Sequence, residues 1–283
     1  MKLLVVDIGG SAVKYGIWEN EQLKRKNQFS LPETWEQLLA ELHAICAKET
    51  EIEGITFSVP GLVDAKSGEI KGITAVPYIH QRNFREELEN EFSLKIAMEN
   101  DANCAALSEL WTDEQSDIQN FLYFVFGTGV GGAVIMNRQL VRGPSFFGGE
   151  FGYMLLNDSS TFSEVGTVVG AAKHYSERAG HTVSGKELFE LANQGDYLAK
   201  YLLDEVYRYG ARGIFNLLVS LNPEKVVIAG GVSANPQFIQ GLKQALEVLV
   251  HKQGATAIEY ELEPSKFGND ANLYGAVYNY IYN

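Results

Sequence analysis

The residues best equipped for chemistry in this chain lie in the stretch Glu99-Asn100-Asp101-Ala102-Asn103. A short apolar run, Lys95 to Met98, precedes it and reads as a strand; Ala105-Ala106-Leu107 follows and reads as the start of a helix. A carboxylate at such a junction meets helix N-terminal N–H groups and stands where α/β sheets place their ligands. Asp101 is therefore the candidate general base, able to take a proton from an attacking hydroxyl. The alternative for the same residue is a plain N-cap. Three glycine-rich turns, each directly after a β-type run, bear on that choice: Gly9-Gly10-Ser11, Gly127-Thr128-Gly129 and Gly230-Gly231. Small residues in a turn let backbone N–H groups approach a phosphate, because no Cβ blocks the way. An ordinary tight hairpin remains the alternative for the first turn. It has no Gly-Lys-Ser/Thr, and it leads into a strand where a P-loop leads into a helix.

The elements that must hold these residues follow from periodicity. Lys2 to Asp7 is an apolar run ending in an acid, which fits a buried strand emerging at its carboxyl end. Val13 to Trp18 reads as the returning strand and Leu23 to Phe29 as a third. Thr34-Trp35-Glu36-Gln37 has capping-box form, and Trp35, Leu38, Leu39, Leu42 and Ile45 recur at helical spacing. Gly54 to Val59 is a strand entering the stiff turn Ser58-Val59-Pro60-Gly61, and Asn83 to Phe92 is a helix. Strand and capped helix in alternation imply a parallel or mixed sheet covered by helices.

The polar run Thr112 to Asp117 marks a lobe boundary, giving lobes of 1–113 and 114–283, with the closing helix, about 270–283, able to return to the first. Beyond the boundary the opening arrangement recurs: Phe121 to Phe126 is a strand, Gly127-Thr128-Gly129 a turn and Val130 to Met136 a strand. Two related lobes can hold a phosphate chain between their turns, although glycine turns between strands also arise independently. Gly148-Gly149-Glu150-Phe151-Gly152-Tyr153 reads as a loop, in which Glu150 is a solvated charge or a ligand carboxylate. Ser184 opens a capped helix, Tyr197 to Leu221 is a long helix with an apolar stripe, Lys225 to Ala229 is a strand, and Pro236 to Val250 a helix. A strand near Ile258 to Leu262 and a helix from about Ala271 to Tyr282 close the chain.

Composition narrows the partners. A formal net charge of −13 repels nucleic-acid backbones and anionic membranes, whereas a nucleotide can still be held by N–H groups and a metal ion. Two cysteines, Cys46 and Cys104, form neither a disulfide framework nor a zinc-ligand spacing. The apolar run at Leu3 to Val6 is too short for a signal peptide, and no stretch approaches the roughly 20 apolar residues of a membrane span, so a cytoplasmic protein is expected.

Taken in order, an acid with a Gly turn, Ser-x-Pro-Gly, Glu-Asn-Asp-Ala, Gly-Thr-Gly-x-Gly-Gly, Gly-Gly-Glu and a late Gly-Gly resemble the ROK family of sugar kinases and related repressors, in the actin-like ATPase superfamily. The resemblance runs from residue 2 to about 280. It implies an α/β, two-lobed, ribonuclease H-like fold with mixed sheets and an interlobe cleft. It also implies an ATP-dependent phosphotransferase acting with Mg2+ on a hydroxyl, O6 for preference, of a hexose or hexose glycoside. By resemblance Asp7, Gly9, Gly10, Ser11 and Lys14 form the first phosphate loop, with magnesium near Asp7. Gly127, Thr128, Gly129, Gly131 and Gly132 form the second, and Gly230 and Gly231 lie beside the adenosine. Asp101 falls on the catalytic acid; Asn100, Gly61, Glu150 and Glu164 fall on sugar-binding positions. A homodimer is implied in the same way.

One region departs from the family pattern. Many members carry a His three residues after the sugar-binding Glu, then a cysteine cluster holding structural zinc. Here that position is Tyr153, and residues 151–173 contain no Cys or His. No structural zinc is expected, since a tetrahedral site needs about four N or S ligands. The loop is then held by packing, for which Phe146, Phe147, Phe151 and Phe162 are the candidates. Tyr153 either packs within its loop or faces the sugar, leaving room for a group on the anomeric carbon. Such room makes a β-glucoside, another glycoside or an N-acetylated hexosamine credible beside free glucose. The run Glu150-Phe151-Gly152-Tyr153-Met154 resembles that of β-glucoside kinases, and by that resemblance a β-glucoside is the preferred substrate, with glucokinase, fructokinase and N-acetylmannosamine kinase as the alternatives. The family's sugar-responsive transcriptional regulators carry a helix-turn-helix before the kinase-like body; here the first strand starts at Lys2, and the acidity opposes DNA.

Overall fold

The computed structural model describes residues 1–72, 74–80, 82–112 and 118–283. They separate into two compact units. The first holds residues 1–112, Arg142–Phe147 and Lys266–Asn283; the second holds residues 118–141 and Gly148–Ser265. The boundary read at 112–117 lies, apart from Thr112, outside the described residues.

The first unit is built on β1 (Lys2–Ile8), β2 (Ala12–Glu19), β3 (Gln22–Ser30), β4 (Gly54–Val59) and β7 (Lys95–Asn100), with a small separate hairpin of β5 (Leu62–Asp64) and β6 (Glu69–Lys71). Sheet order is β3-β2-β1-β4-β7; the first three strands are antiparallel, and β4 and β7 join parallel to β1. The continuous apolar run of β1 has a direct cause, because both faces of this central strand are covered. Leu4, Val6 and Ile8 pack with Trp35, Leu38, Leu42 and Ile45 of α1 (Trp35–Cys46) and with Phe84 and Leu88 of α2 (Phe84–Phe92). Leu3 and Val5 face the other way, onto Cys104 of α3 (Asp101–Thr112) and Leu273, Ala276 and Val277 of the C-terminal helix. That helix crosses α3 so closely that a Cβ on Gly275 would stand 1.6 Å from the Cys104 carbonyl oxygen. Its ties are long-range: Thr56 donates to the Ala276 carbonyl at 2.7 Å, and Trp111 Nε1 to the Tyr274 carbonyl at 3.0 Å.

The second unit repeats the plan with β8 (Phe121–Phe126), β9 (Val130–Met136), β10 (Gln139–Leu140), β11 (Lys225–Ala229) and β12 (Glu261–Pro264) in the order β10-β9-β8-β11-β12. Its core sets Leu122, Phe124 and Phe126 of β8 against Phe162 of α4 (Phe162–Val165), Ala171 of α5 (Val168–Ala179), Leu188 of α6 (Gly185–Asn193), Ile214 of α7 (Tyr197–Leu221) and Phe238 of α8 (Pro236–Lys252). The last helix, α9 (Ala271–Tyr282), returns the chain to the first unit. Among the described residues no helix is long and apolar enough to cross a membrane.

Three local expectations shift, and one helix was not anticipated. The helix after the Glu-Asn-Asp stretch begins at Asp101, four residues before Ala105, because Asn100 caps it. The strand expected at 258–262 sits at Glu261–Pro264, where it pairs with β11. The helix α5 gave no distinct signal, since its apolar stripe rests largely on alanines. At α1, Thr34 accepts from Gln37 N–H as a cap should, but the Gln37 side chain reaches Glu33 N–H, one residue short of a closed box.

Candidate active site

The carboxyl ends of β1, β4 and β7 lie side by side, with Asp7, Ser58 and Glu99 in register. Parallel strands bring these residues to one level and one face, and each is buried. Asp7 is 5 % exposed. Its Oδ1 accepts from Ser58 Oγ at 2.7 Å and from Asn272 Nδ2 at 2.9 Å, whereas Oδ2 is bonded by no described residue. Lys14 stands directly opposite Asp7 on β2. The first glycine turn between them closes through Gly9 N–H to the Ala12 carbonyl at 3.0 Å, leaving Gly10 and Ser11 exposed.

At the end of β7 the two candidate roles of Asp101 separate. The cap belongs to Asn100, whose Oδ1 accepts from Asn103 N–H at 3.1 Å while its Nδ2 donates to the Gly61 carbonyl at 3.0 Å. The Asn100 amide is thereby oriented from both ends, and Gly61 is drawn to it. The φ of +103° at Gly61 and a Lys71 carbonyl 2.9 Å from where a Cβ would sit require glycine there. Relieved of capping, Asp101 is the first residue of α3, with Oδ1 accepting from Ala102 N–H at 2.8 Å. Its pKa is pushed up to about 6, mainly by burial, with the Asp7 charge adding and the Ala102 N–H and Asn100 amide opposing. A carboxylate so poised can accept a proton near neutral pH. The neighbouring Oδ2 of Asp7 is a hard oxygen donor suited to magnesium, and a cation there would offset the two adjacent negative charges.

Glu99 is 1 % exposed and fully engaged. Its Oε1 accepts from Asn100 N–H and from Asn103 Nδ2, both at 2.9 Å, and its Oε2 receives Arg142 Nε at 2.7 Å and Nη2 at 2.6 Å.

The second unit gathers the other glycines. Gly127 N–H donates to the Gly129 carbonyl at 2.9 Å, closing the turn, and Val130 N–H donates to Ser163 Oγ at 3.0 Å. Gly230, at φ +88°, lies against the end of β8, its Cβ position 2.1 Å from the Phe126 carbonyl oxygen; the second and third turns are therefore neighbours. A Cβ on Gly231 would meet nothing within 4 Å. Gly132 differs from the rest of its motif. It is buried in β9, and the Phe151 ring fills the space a side chain would need, at 2.3 Å. Its glycine answers to packing.

Glu150 precedes a single turn of 3-10 helix, Phe151–Tyr153, held flat on β9. The Cβ positions of Gly149 and Gly152 fall 2.6 Å from the Gly132 carbonyl oxygen and 2.2 Å from the Val130 carbonyl oxygen. Phe151 anchors the segment at 4.6 Å from Phe124, and Phe162 sits 5.9 Å from Phe126. The expectation that Phe146 and Phe147 share this work is corrected: both belong to the first unit, and Phe147 is exposed. Tyr153 is 67 % exposed and so does not pack away in its loop. Glu164 is exposed, and its Oε2 accepts from Thr161 N–H and Oγ1 in a capping box. Among the described residues no cluster of three or more His, Cys, Asp or Glu could hold a metal.

Ser58, Asn103, Arg142, Ser163 and Asn272 were missed by sequence reasoning as members of this arrangement. Ser58 had a usable signal, since it is the next-to-last residue of a parallel strand as Asp7 is. Asn272 and Arg142 had none, being brought in from 265 and 43 residues away.

Residues 3–281 match the ROK family. The chain is 33% identical to the β-glucoside kinase of Listeria monocytogenes over 293 residues, covering 99% of this chain and 98% of that protein. A ROK family protein from Streptococcus pneumoniae, solved in complex with sucrose, superposes with a TM-score of 0.92 at 34% identity, over 99% of this chain and 98% of that one. A ROK glucokinase from Streptomyces griseus, solved with glucose and AMPPNP, shares the fold with a TM-score of 0.79 at 22% identity, over 98% of each chain. With two five-stranded mixed sheets of the actin-like ATPase type and a family match spanning nearly its whole length, the chain belongs to the ROK family of sugar kinases.

Proposed function

We propose that this kinase transfers the γ-phosphoryl group of ATP to the O6 hydroxyl of a hexose or hexose glycoside, with a β-glucoside preferred over free glucose. The observation that carries the transfer is the division of labour at the start of α3: Asn100 takes the cap and leaves Asp101 beside Asp7. Phosphoryl transfer asks little covalent chemistry of a protein; it needs the acceptor hydroxyl held in line and the phosphate charge offset. Asp101 accepts the hydroxyl proton as attack develops. Asp7, through the oxygen that no described residue bonds, is the residue to hold magnesium, which when bound neutralises phosphate charge. N–H groups of Gly9, Gly10 and Ser11, and of the turn at Gly127, Thr128, Gly129 and Gly131, serve the phosphates, and Gly230 and Gly231 serve the adenosine.

Asn100, Gly61 and Glu150 serve the sugar, with Glu164 a further contact through the part of its carboxylate not used by Thr161. The exposure of Tyr153 supports a place for an anomeric substituent. The named activity of the Listeria relative supports the β-glucoside, and the sucrose held by the Streptococcus relative, an α-glucoside, supports only room for a group on the anomeric carbon. Family resemblance supports a cytoplasmic homodimer, which light scattering checks for assembly.

The test is ATP consumption with cellobiose, an aryl β-glucoside, glucose, fructose, N-acetylglucosamine and N-acetylmannosamine, with NMR to place the new phosphoester. A β-glucoside is expected to give the highest kcat/KM, with the ester on O6. A free hexose ahead of every glycoside overturns the substrate, and no turnover with any sugar overturns the activity.

A further inference from the structure

We infer that Arg142 is a positioning residue for sugar phosphorylation, acting through Glu99 on the turn that carries Asn100 and Asp101; the inference rests on the roles proposed above for those two residues. Glu99 is the buried carboxylate of this turn, and one of its oxygens fixes both the Asn100 N–H and the Asn103 side-chain amide. Arg142 pairs with its other oxygen through two donors, a charge-assisted contact that fixes the side chain. The guanidinium therefore holds the Glu99 side chain turned toward the start of α3. That in turn orients Asn103, whose own N–H donates to the capping oxygen of Asn100. Each link in this chain is a hydrogen bond of 2.6–3.1 Å, and its end is the amide beside the proposed base.

Arg142 comes from outside the Glu-Asn-Asp motif. It begins the six residues Arg142–Phe147 that lie with the first unit although the chain on either side belongs to the second. It also lines a cavity of about 380 Å3 whose other walls include Lys66, Lys95, Phe146 and Tyr280. A small cation can thus reach the gap left by a truncated side chain.

The experiment compares Arg142→Ala and Arg142→Lys with the unaltered enzyme, measuring KM for sugar and ATP separately. Arg142→Ala is expected to lower kcat/KM for the sugar about tenfold to a hundredfold, the scale of a small misplacement of reacting groups. KM for ATP, assigned to the glycine turns, should stay within about twofold, and guanidinium ion at low millimolar concentration should restore several-fold activity where sodium at equal ionic strength does not. Arg142→Lys, which keeps the charge but not the fork, should fall between and serves if the alanine variant does not fold. A folded variant with unchanged sugar kinetics, an equal loss on ATP, or no guanidinium rescue overturns the inference. Inactivity of the unaltered enzyme toward every sugar instead removes the function proposed above, and this inference with it.

Discussion

The two units have the same strand order and finish their central strands in opposite chemistry. In the first, the next-to-last residues of the parallel strands are Asp7, Ser58 and Glu99, with Asn100 closing β7 and Asp101 following; in the second, β8 ends at Phe126 before Gly127, β11 at Ala229 before Gly230, and β12 at Pro264. The first sheet places buried carboxylates at these ends, and the second runs from β8 and β11 straight into glycine turns. The difference teaches that topology sets only where a group emerges, while the residues at and just beyond each strand end decide what chemistry that place offers. It also fits a chain with a net charge of −13 and no P-loop lysine, because glycine-turn N–H groups can face an anion without any side-chain charge.

The sharpest way to break this contrast is Asp101→Asn. Turnover is expected to fall at least about a hundredfold in a coupled assay, the low end of general-base effects. The unaltered enzyme should show an acid limb in kcat near pH 6 that the variant lacks, because a general base at Asp101, as proposed, works only when deprotonated. Stability should move the other way. A carboxyl whose pKa is raised on folding makes the fold progressively less stable as pH rises from about 4 to about 6, and that loss persists above. The asparagine variant escapes it, so at pH 7.5 it should be more stable by about 1–2 kcal/mol, after a discount for partial exposure, and the gap should close below pH 4 in thermal scans. Lower stability of the variant at pH 7.5, with turnover intact, would leave Asp101 as an ordinary surface acid.

A smaller effect sharpens the second unit's side of the comparison. Gly132→Ala forces a Cβ into the Phe151 ring and should cost about 1–3 kcal/mol in denaturant unfolding, whereas Gly231→Ala meets open space and should cost little. Equal costs would mean that both glycines answer to the same constraint. The smallest effect concerns the loop carrying Glu150, which is anchored by Phe151 and Phe162. Dialysis against a chelator, followed by magnesium, should leave the melting temperature and activity unchanged, and elemental analysis should find no stoichiometric zinc. Stoichiometric zinc would show that aromatic packing is not what holds the loop.

Much of the scaffold was legible because it is local. Alternating runs around a glycine turn mark β1–β2 and β8–β9, and the apolar stripes of α1 and α7 recur at helical spacing. The Glu-Asn-Asp motif stood out for the same reason, yet the sequence could not say which of Asn100 and Asp101 caps the helix. Either side chain can do so, and the choice turns on where the helix begins. The reading of Phe146 and Phe147 as loop anchors failed because nearness in sequence to Phe151 says nothing about which core each ring enters.

By itself, then, the sequence determined the order of the main strands, turns and helices, though not β5, β6, β10 or α5, and the placing of an acid pair and three glycine turns at strand ends. Those features depend on residue types within a few positions of one another. Only the tertiary structure decided that Arg142 neutralises Glu99, that Asn272 and Ser58 share one oxygen of Asp7, and that Gly132 makes room for Phe151. These contacts join segments far apart in the chain, and sheet register and helix crossing, set by burial of both faces of the central strands, are what bring them together.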